Sequence, residues 1–243
     1  MRNLFLIIQA RMTSTRLPGK VMLEICGVPV LELMLRRLEQ FRNQIIIATT
    51  DDGSEAPIIA LSERLGIRCF RGSTDDVLER YYRAASHFGA RAGDTVVRCT
   101  SDCPLIDPEI AAKTIACFEE GPYDYVSAGV HSGYPRGMDT EVFGFDLLAE
   151  AHREATTGYE REHVTPYIYV TKKTDLNIGS LKDASDHSRY RLTLDEPDDY
   201  RAIRAVYEGL GCRTDFTYTE LIGFLQAHPH IHEMNRHVEQ KKS

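Results

Sequence analysis

Residues 9–20, Gln-Ala-Arg-Met-Thr-Ser-Thr-Arg-Leu-Pro-Gly-Lys, place three cations and three hydroxyls on one short segment directly after an apolar run. A nucleoside triphosphate concentrates several negative charges in a small volume, so its site needs point cations, backbone N–H groups and a metal at close range. Arg11, Arg16 and Lys20 supply the cations, Ser14 and Thr15 add hydroxyl donors, and Pro18–Gly19 makes a turn that lets backbone approach phosphate. The spacing is not that of a Walker A loop. A solvated basic loop has the same composition. What distinguishes this one is its position after Leu4–Ile8, a continuous apolar run expected of a strand buried on both faces of a mostly parallel sheet. Ligands bind at the carboxyl ends of such strands.

Two acidic turns complement the cations. In Arg98-Cys-Thr-Ser-Asp-Cys-Pro-Leu-Ile, Asp102 follows the strand Thr95–Val97 and is pinned by Pro104, a placement suited to a divalent metal, although a lone Asp there also serves as a turn former or helix cap. In Leu192-Thr-Leu-Asp-Glu-Pro-Asp-Asp-Tyr, Asp195 or Glu196 can cap the helix opening at Pro197, with Asp198 and Asp199 as partners of its dipole. The cluster holds more carboxylates than one cap requires. Two carboxylates distant in sequence, both at strand ends, are what magnesium facing a triphosphate needs, because it takes one or two protein carboxylates and completes its shell with phosphate oxygens and water.

The elements that position these residues alternate strand and helix. Apolar spacing predicts helices over Val30–Phe41, Ser54–Leu65, Thr74–Phe88 and Pro108–Phe118, separated by strands at Gln44–Thr49, Arg68–Phe70 and Thr95–Cys99. That alternation implies a parallel-centred sheet with helices on both faces. From Gly121 to Glu141 tyrosine, glycine and proline replace periodicity, and residues 121–170 read as an insertion or arm of a single domain spanning 1–243. Within it, a strand after Tyr134-Pro-Arg-Gly-Met carries Asp139 and Glu141 on one face and Thr140 and Val142 on the other. Leu176–Leu181 and Arg191–Leu194 complete the pattern, the latter as a strand leading into the acidic cluster.

Composition narrows the function classes. A chain of 243 residues with 42% hydrophobic content can bury one sizeable core, and a net charge of -7 argues against a general nucleic-acid binder. There is no membrane-length apolar stretch and no leader-like N-terminus, so a cytoplasmic, membrane-free protein is expected. Cys26, Cys69, Cys99, Cys103, Cys117 and Cys212 lack a metal-binding spacing and are expected as reduced, mostly buried thiols. The histidines at 228, 230, 232 and 237 crowd a terminus and are left out of the site.

The pattern Arg11-x-x-Ser14-x-Arg16-Leu17-Pro18-x-Lys20 after an N-terminal apolar strand resembles the signature of the sugar-activating cytidylyltransferases, the group of the acylneuraminate and 3-deoxy-manno-octulosonate cytidylyltransferases. The opening Ile-Ile-Gln-Ala-Arg-Met-x-Ser-Thr-Arg-Leu-Pro-Gly-Lys-Val is most similar to their spore-coat-polysaccharide-biosynthesis branch. The sialic-acid-activating branch usually carries Pro-Ala-Arg-Gly-Gly-Ser-Lys where this chain has Gln-Ala-Arg-Met-Thr-Ser-Thr, a departure that leaves the sugar open. The resemblance implies an α/β, three-layer, Rossmann-like nucleotide-diphospho-sugar transferase fold with a mixed, mostly parallel sheet. It implies CTP as co-substrate and Mg2+ on Asp102 and Asp195, with Arg11 and Lys20 joining them in catalysis and Ala10, Ser14 and Arg16 beside the nucleotide. Arg71, Asp76 and Arg98 are candidates for cytosine or ribose contact, although Ser73, Thr74 or Asp75 would also cap the following helix; spacing alone does not separate CTP from UTP. Arg136, Asp139 and Glu141, with His131 and Tyr134 behind them, are expected to receive an acidic sugar. Glu162 and His163 would belong to a neighbouring subunit's site or to a dimer contact of a homodimer. The rival readings are a glycosyltransferase of the same architecture, which would usually show a D-x-D pair, and a catalytically silent nucleotide-binding partner.

Overall fold

In the computed structural model, which describes residues 2–239, the apolar run after the N-terminus forms β1 (Leu4–Gln9), with Phe5, Leu6, Ile7 and Ile8 all buried. The chain then passes through the 10–19 loop and a 3-10 turn at Lys20–Met22 into a small hairpin, β2 (Glu24–Ile25) and β3 (Val28–Pro29). Next come α1 (Val30–Arg37), β4 (Ile45–Thr50), α2 (Ala56–Leu65), β5 (Arg68–Gly72), α3 (Val77–His87), β6 (Thr95–Thr100) and α4 (Pro108–Glu120). The second half holds β7 (Tyr125–Ala128), β8 (Thr140–Gly144), α5 (Phe145–Glu154), α6 (Gly158–His163), β9 (Ile178–Ser180), α7 (Pro197–Gly209), α8 (Tyr218–Ala227) and α9 (Pro229–Glu233).

Seven strands make one sheet in the order β5-β4-β1-β6-β8-β7-β9. The four strands from β5 to β6 run parallel, β8 is antiparallel to both β6 and β7, and β9 is parallel to β7. Alternation along β1 divides the core. Phe5 and Ile7 join α3 and α5 on one face, whereas Leu6 and Ile8 join α1, α2 and α4 on the other. The expected three-layer, mixed and mostly parallel α/β fold is what forms. A third apolar cluster packs α7, α8 and α9 against Ile25, Tyr134, Met138, Tyr190, Leu192 and Leu194. The segment from 121 to 170, expected as an insertion or arm, contributes β7 and β8 to the sheet itself.

Three expectations need correction. Residues 191–194 are not a strand: the segment makes a single bridge, Arg191 to Arg136, while Leu194 N donates to Asp102 O and Arg191 O accepts from the Asn235 side chain. The helix expected from Thr74 starts at Val77, since Asp76 is its N-cap and accepts from Glu79 N at 2.8 Å, while Asp76 N donates to Ser73 Oγ at 3.0 Å. The six cysteines are not all thiols. Cys26 and Cys212 form a disulfide across 186 residues, with a Cα–Cα distance of 6.0 Å. Cys26–Gly27 is the two-residue turn between β2 and β3, with φ of 53° and 73°, and Gly211–Cys212 lies beyond α7 with φ of 70° and 58°. Both cysteines therefore sit on left-handed turns rather than in strands or helices, and folding alone brings them together.

Candidate active site

The loop after β1 is pinned at its base. Ala10 N donates to Ala48 O at 3.1 Å, continuing the sheet, and Gly19 N closes the loop on Met12 O at 2.9 Å. Gly19 has φ 67°, a conformation glycine adopts at little cost, and it starts the 3-10 turn that aims Lys20 back toward the sheet. Ser14 Oγ accepts from Leu17 N at 3.3 Å, so this hydroxyl shapes the loop.

Lys20, Asp102 and Asp195 meet at one point. Lys20 Nζ lies 3.0 Å from Asp102 Oδ2 and 2.8 Å from Asp195 Oδ1. Arg16 Nη2 is 3.0 Å from the same Asp195 oxygen, and Arg16 Nη1 is 3.3 Å from Glu196 Oε1. Backbone links hold the two carboxylates in register: Leu194 N donates to Asp102 O at 2.7 Å and Thr193 Oγ1 donates to it at 3.3 Å. Gly137 makes that approach possible. Its φ is 103°, and a Cβ there would fall 2.5 Å from Leu192 O. Burial works against the Lys20 charge, but Asp102 and Asp195 outweigh it and hold the ammonium above its ordinary pKa. Burial likewise opposes ionisation of Asp102, and Lys20 with Thr100 keeps its carboxyl below the usual range.

Two carboxylates converging on one cation form a donor set that fits magnesium, with phosphate oxygens and water left to complete the shell. Among the described residues no cluster of three or more His, Cys, Asp or Glu side chains is placed to hold a metal by itself. In the C-terminal segment, His228 Nδ1 lies 2.8 Å from Phe224 O and His237 Nε2 lies 3.0 Å from Asp198 Oδ2.

The remaining candidates divide into free and committed groups. Arg11 is exposed and makes no hydrogen bond or ion pair among the described residues, and the same holds for the half-buried Arg136 side chain. Arg71 pairs with Glu55. Asp76, besides capping α3, is engaged by Arg161, whose Nε lies 2.8 Å away. Arg98 and Glu141, directly opposite in the β6–β8 register, form an ion pair, and Glu141 also accepts from Tyr125 and, at 2.7 Å, from Thr165 Oγ1. Asp139 accepts from Gly137 N at 2.8 Å; burial, with Glu141 and Asp102 nearby, raises its pKa despite that bond and Arg136. Thr140 and Val142 are buried on the opposite face of β8. His131 is exposed, Tyr134 is buried in the third cluster, and the His163 ring lies tilted against Tyr159 with ring centroids 4.8 Å apart.

Sequence reasoning passed over two features. Arg80 is 1% exposed on α3, donates to Ser73 O at 2.6 Å, and leaves Nε without a hydrogen-bond partner among the described residues, as Thr74 Oγ1 also does. Its signal was an arginine at a position that helical spacing assigns to the core. Asp199, expected as a dipole partner, is fully buried and bonds Arg191 through both oxygens, at 2.8 and 3.0 Å.

A parallel-centred α/β sheet whose post-β1 loop brings cations against carboxylates from the turn after β6 and from the segment ahead of α7 is the architecture of a nucleotidyltransferase. A cytidylyltransferase family model matches residues 5–224, and the chain belongs to that family. It is 34% identical over 241 residues to the spore coat polysaccharide biosynthesis protein SpsF of Bacillus subtilis, with 94% of this chain and 96% of that protein covered. A cytidylyltransferase from Leptospira borgpetersenii superimposes with a TM-score of 0.89 at 30% identity, each chain fully covered. A 3-deoxy-manno-octulosonate cytidylyltransferase of Aeromonas salmonicida is 33% identical over 107 residues, covering 43% of this chain and 41% of that one. No helix among the described residues is long and apolar enough to cross a membrane.

Proposed function

We propose that this chain is a magnesium-dependent enzyme that activates a sugar, an acidic nonulosonate or a related one, by transferring CMP from CTP. The observation that carries the reading is the convergence of Lys20, Asp102 and Asp195, from three separate segments, within 3.0 Å at the carboxyl ends of β1 and β6. A hydroxyl oxygen of the sugar attacks the α-phosphorus and gives up its proton to solvent, the bond from that phosphorus to the bridging oxygen of the β-phosphate breaks, and pyrophosphate leaves in line. Magnesium, held by Asp102 and Asp195, supplies neutralisation of phosphate charge when bound. Arg11, Arg16 and Lys20 grip the triphosphate, and catalysis comes from positioning and electrostatics, with no covalent protein intermediate. We assign Ala10 and Ser14 to shaping the nucleotide loop, and Arg71, Asp76 and Arg98 to the rim around base and ribose. Arg136, uncommitted like Arg11, suits a sugar carboxylate, and Asp139 and Glu141 suit its hydroxyls.

The reading extends to the whole chain as one cytoplasmic nucleotidyltransferase domain. Exposed Tyr159 and Val170, at 41% and 57%, support a homodimer formed through residues 158–171. The test is pyrophosphate release from CTP, UTP, GTP and ATP against a panel of acidic and neutral sugars, with magnesium or EDTA. Release from CTP alone, requiring both magnesium and one sugar class, is expected. Turnover of a nucleotide sugar in place of CTP would reassign the chain to the glycosyltransferases.

A further inference from the structure

Asp195 is gripped on both sides. Its Oδ1 faces Lys20 and Arg16, whereas its Oδ2 accepts from Arg191 Nη2 at 3.1 Å. Arg191 is in turn fixed by Asp199, whose Oδ2 also accepts from Asp195 N and Glu196 N at 3.0 Å each. The last link comes from the C-terminal segment. Asn235 is 1% exposed, and its side-chain amide donates to Asp199 Oδ1 and to Arg191 O, both at 2.9 Å. Ile231 anchors the segment in the third cluster beside Tyr190, Leu192 and Leu225. Residue 235 lies beyond the family match, which ends at 224.

We propose that Asn235 is a positioning residue for Asp195. Its two N–H groups lock Asp199 and the Arg191 backbone, so that Arg191 occupies Asp195 Oδ2 and leaves Oδ1 turned toward the cation and the triphosphate. The chain Asn235–Asp199–Arg191–Asp195 is continuous, buried and hydrogen-bonded at each step. Groups that orient a metal ligand from behind commonly change metal affinity by about tenfold or more when removed. The inference rests on the reading of Asp195 as a metal ligand.

The test uses the full chain and Mn2+ as the probe, followed by electron paramagnetic resonance with CTP present, alongside metal-free CTP affinity and steady-state kinetics. Asn235→Ala is expected to weaken Mn2+ binding about tenfold and lower kcat by a similar factor, with metal-free CTP binding changed less than about twofold. Asn235→Asp keeps the size but turns an oxygen toward Asp199, and is expected to be worse than Ala. Asn235→Ser, which retains a donor, falls between wild type and Ala and carries the comparison if Ala does not fold. Variants that lose thermal stability while keeping wild-type Mn2+ affinity overturn the inference and leave Asn235 as an anchor of the C-terminal segment. A wild-type protein that binds CTP but no Mn2+ overturns instead the reading of Asp195 on which it stands.

Discussion

At the scale of single residues, the site is a balance of charges whose sign can be checked by pH. The Lys20 pKa is raised above 10.5, so its contribution to stability is present below that value and lost as pH rises through the higher folded one. The Asp102 pKa is lowered below 3.8, so its contribution is present above 3.8 and lost as pH falls toward the folded one. Lys20→Met should therefore cost on the order of 1–3 kcal/mol of stability, between an exposed and a fully buried pair, with little change from about pH 5 to 9 and a narrowing gap in acid. It should also weaken triphosphate binding more than monophosphate binding, read by titration calorimetry; equal losses would contradict its phosphate role. Asp139 runs the other way. Its folded pKa is raised above 3.8, so ionisation costs nothing below that value and the penalty grows as pH rises through the folded one. Asp139→Asn is accordingly expected to raise Tm near pH 8 and not near pH 3.5, while reducing sugar turnover; a lower Tm at both pH values would contradict it.

At the scale of elements, the Cys26–Cys212 bond ties the β2–β3 turn, just after Lys20, to the chain leaving α7, the helix that follows Asp195. Reduction should cost roughly 2–4 kcal/mol, or about 5–15 °C in Tm. Thiol titration of the unfolded, unreduced chain is expected to find the four thiols of Cys69, Cys99, Cys103 and Cys117, whereas six would contradict the pairing. This bond was not legible in the sequence, because a contact across 186 residues between two turns leaves no local pattern. The buried strands were legible: Leu4–Ile8 is apolar on both faces, as a strand inside a parallel sheet must be, and Thr95–Cys99 is carried by Val96, Val97 and Cys99 despite Arg98. Residues 191–194 were not legible as unpaired, since what decides pairing is the 102 turn and Gly137 beside them. The convergence of Lys20 with Asp102 and Asp195 had local signals behind it: a cation loop after a strand, a carboxylate just past β6, and an acidic cluster opening a helix. Asp199 and Asn235 were not, because a buried hydrogen-bonded carboxylate and a surface one look alike until the partner arrives from 36 residues away.

At the scale of the whole molecule, the parallel central strands bring the 10–19 loop and the 102 turn to the same carboxyl end of the sheet, and the antiparallel β8 sets Glu141 against Arg98 beside them. In the proposed function, the nucleotide and acceptor sites share β6, with Asp102 in the turn just beyond it. The measurement that tests this arrangement most directly is thermal stabilisation by CTP, UTP, GTP and ATP, each with and without magnesium, because a ligand that binds only the folded state raises its Tm by mass action. A shift selective for CTP, dependent on magnesium and abolished in Asp102→Asn with the apo fold intact, is the expected result. Equal shifts with all four triphosphates, or a CTP shift unchanged by EDTA and by Asp102→Asn, would contradict the account.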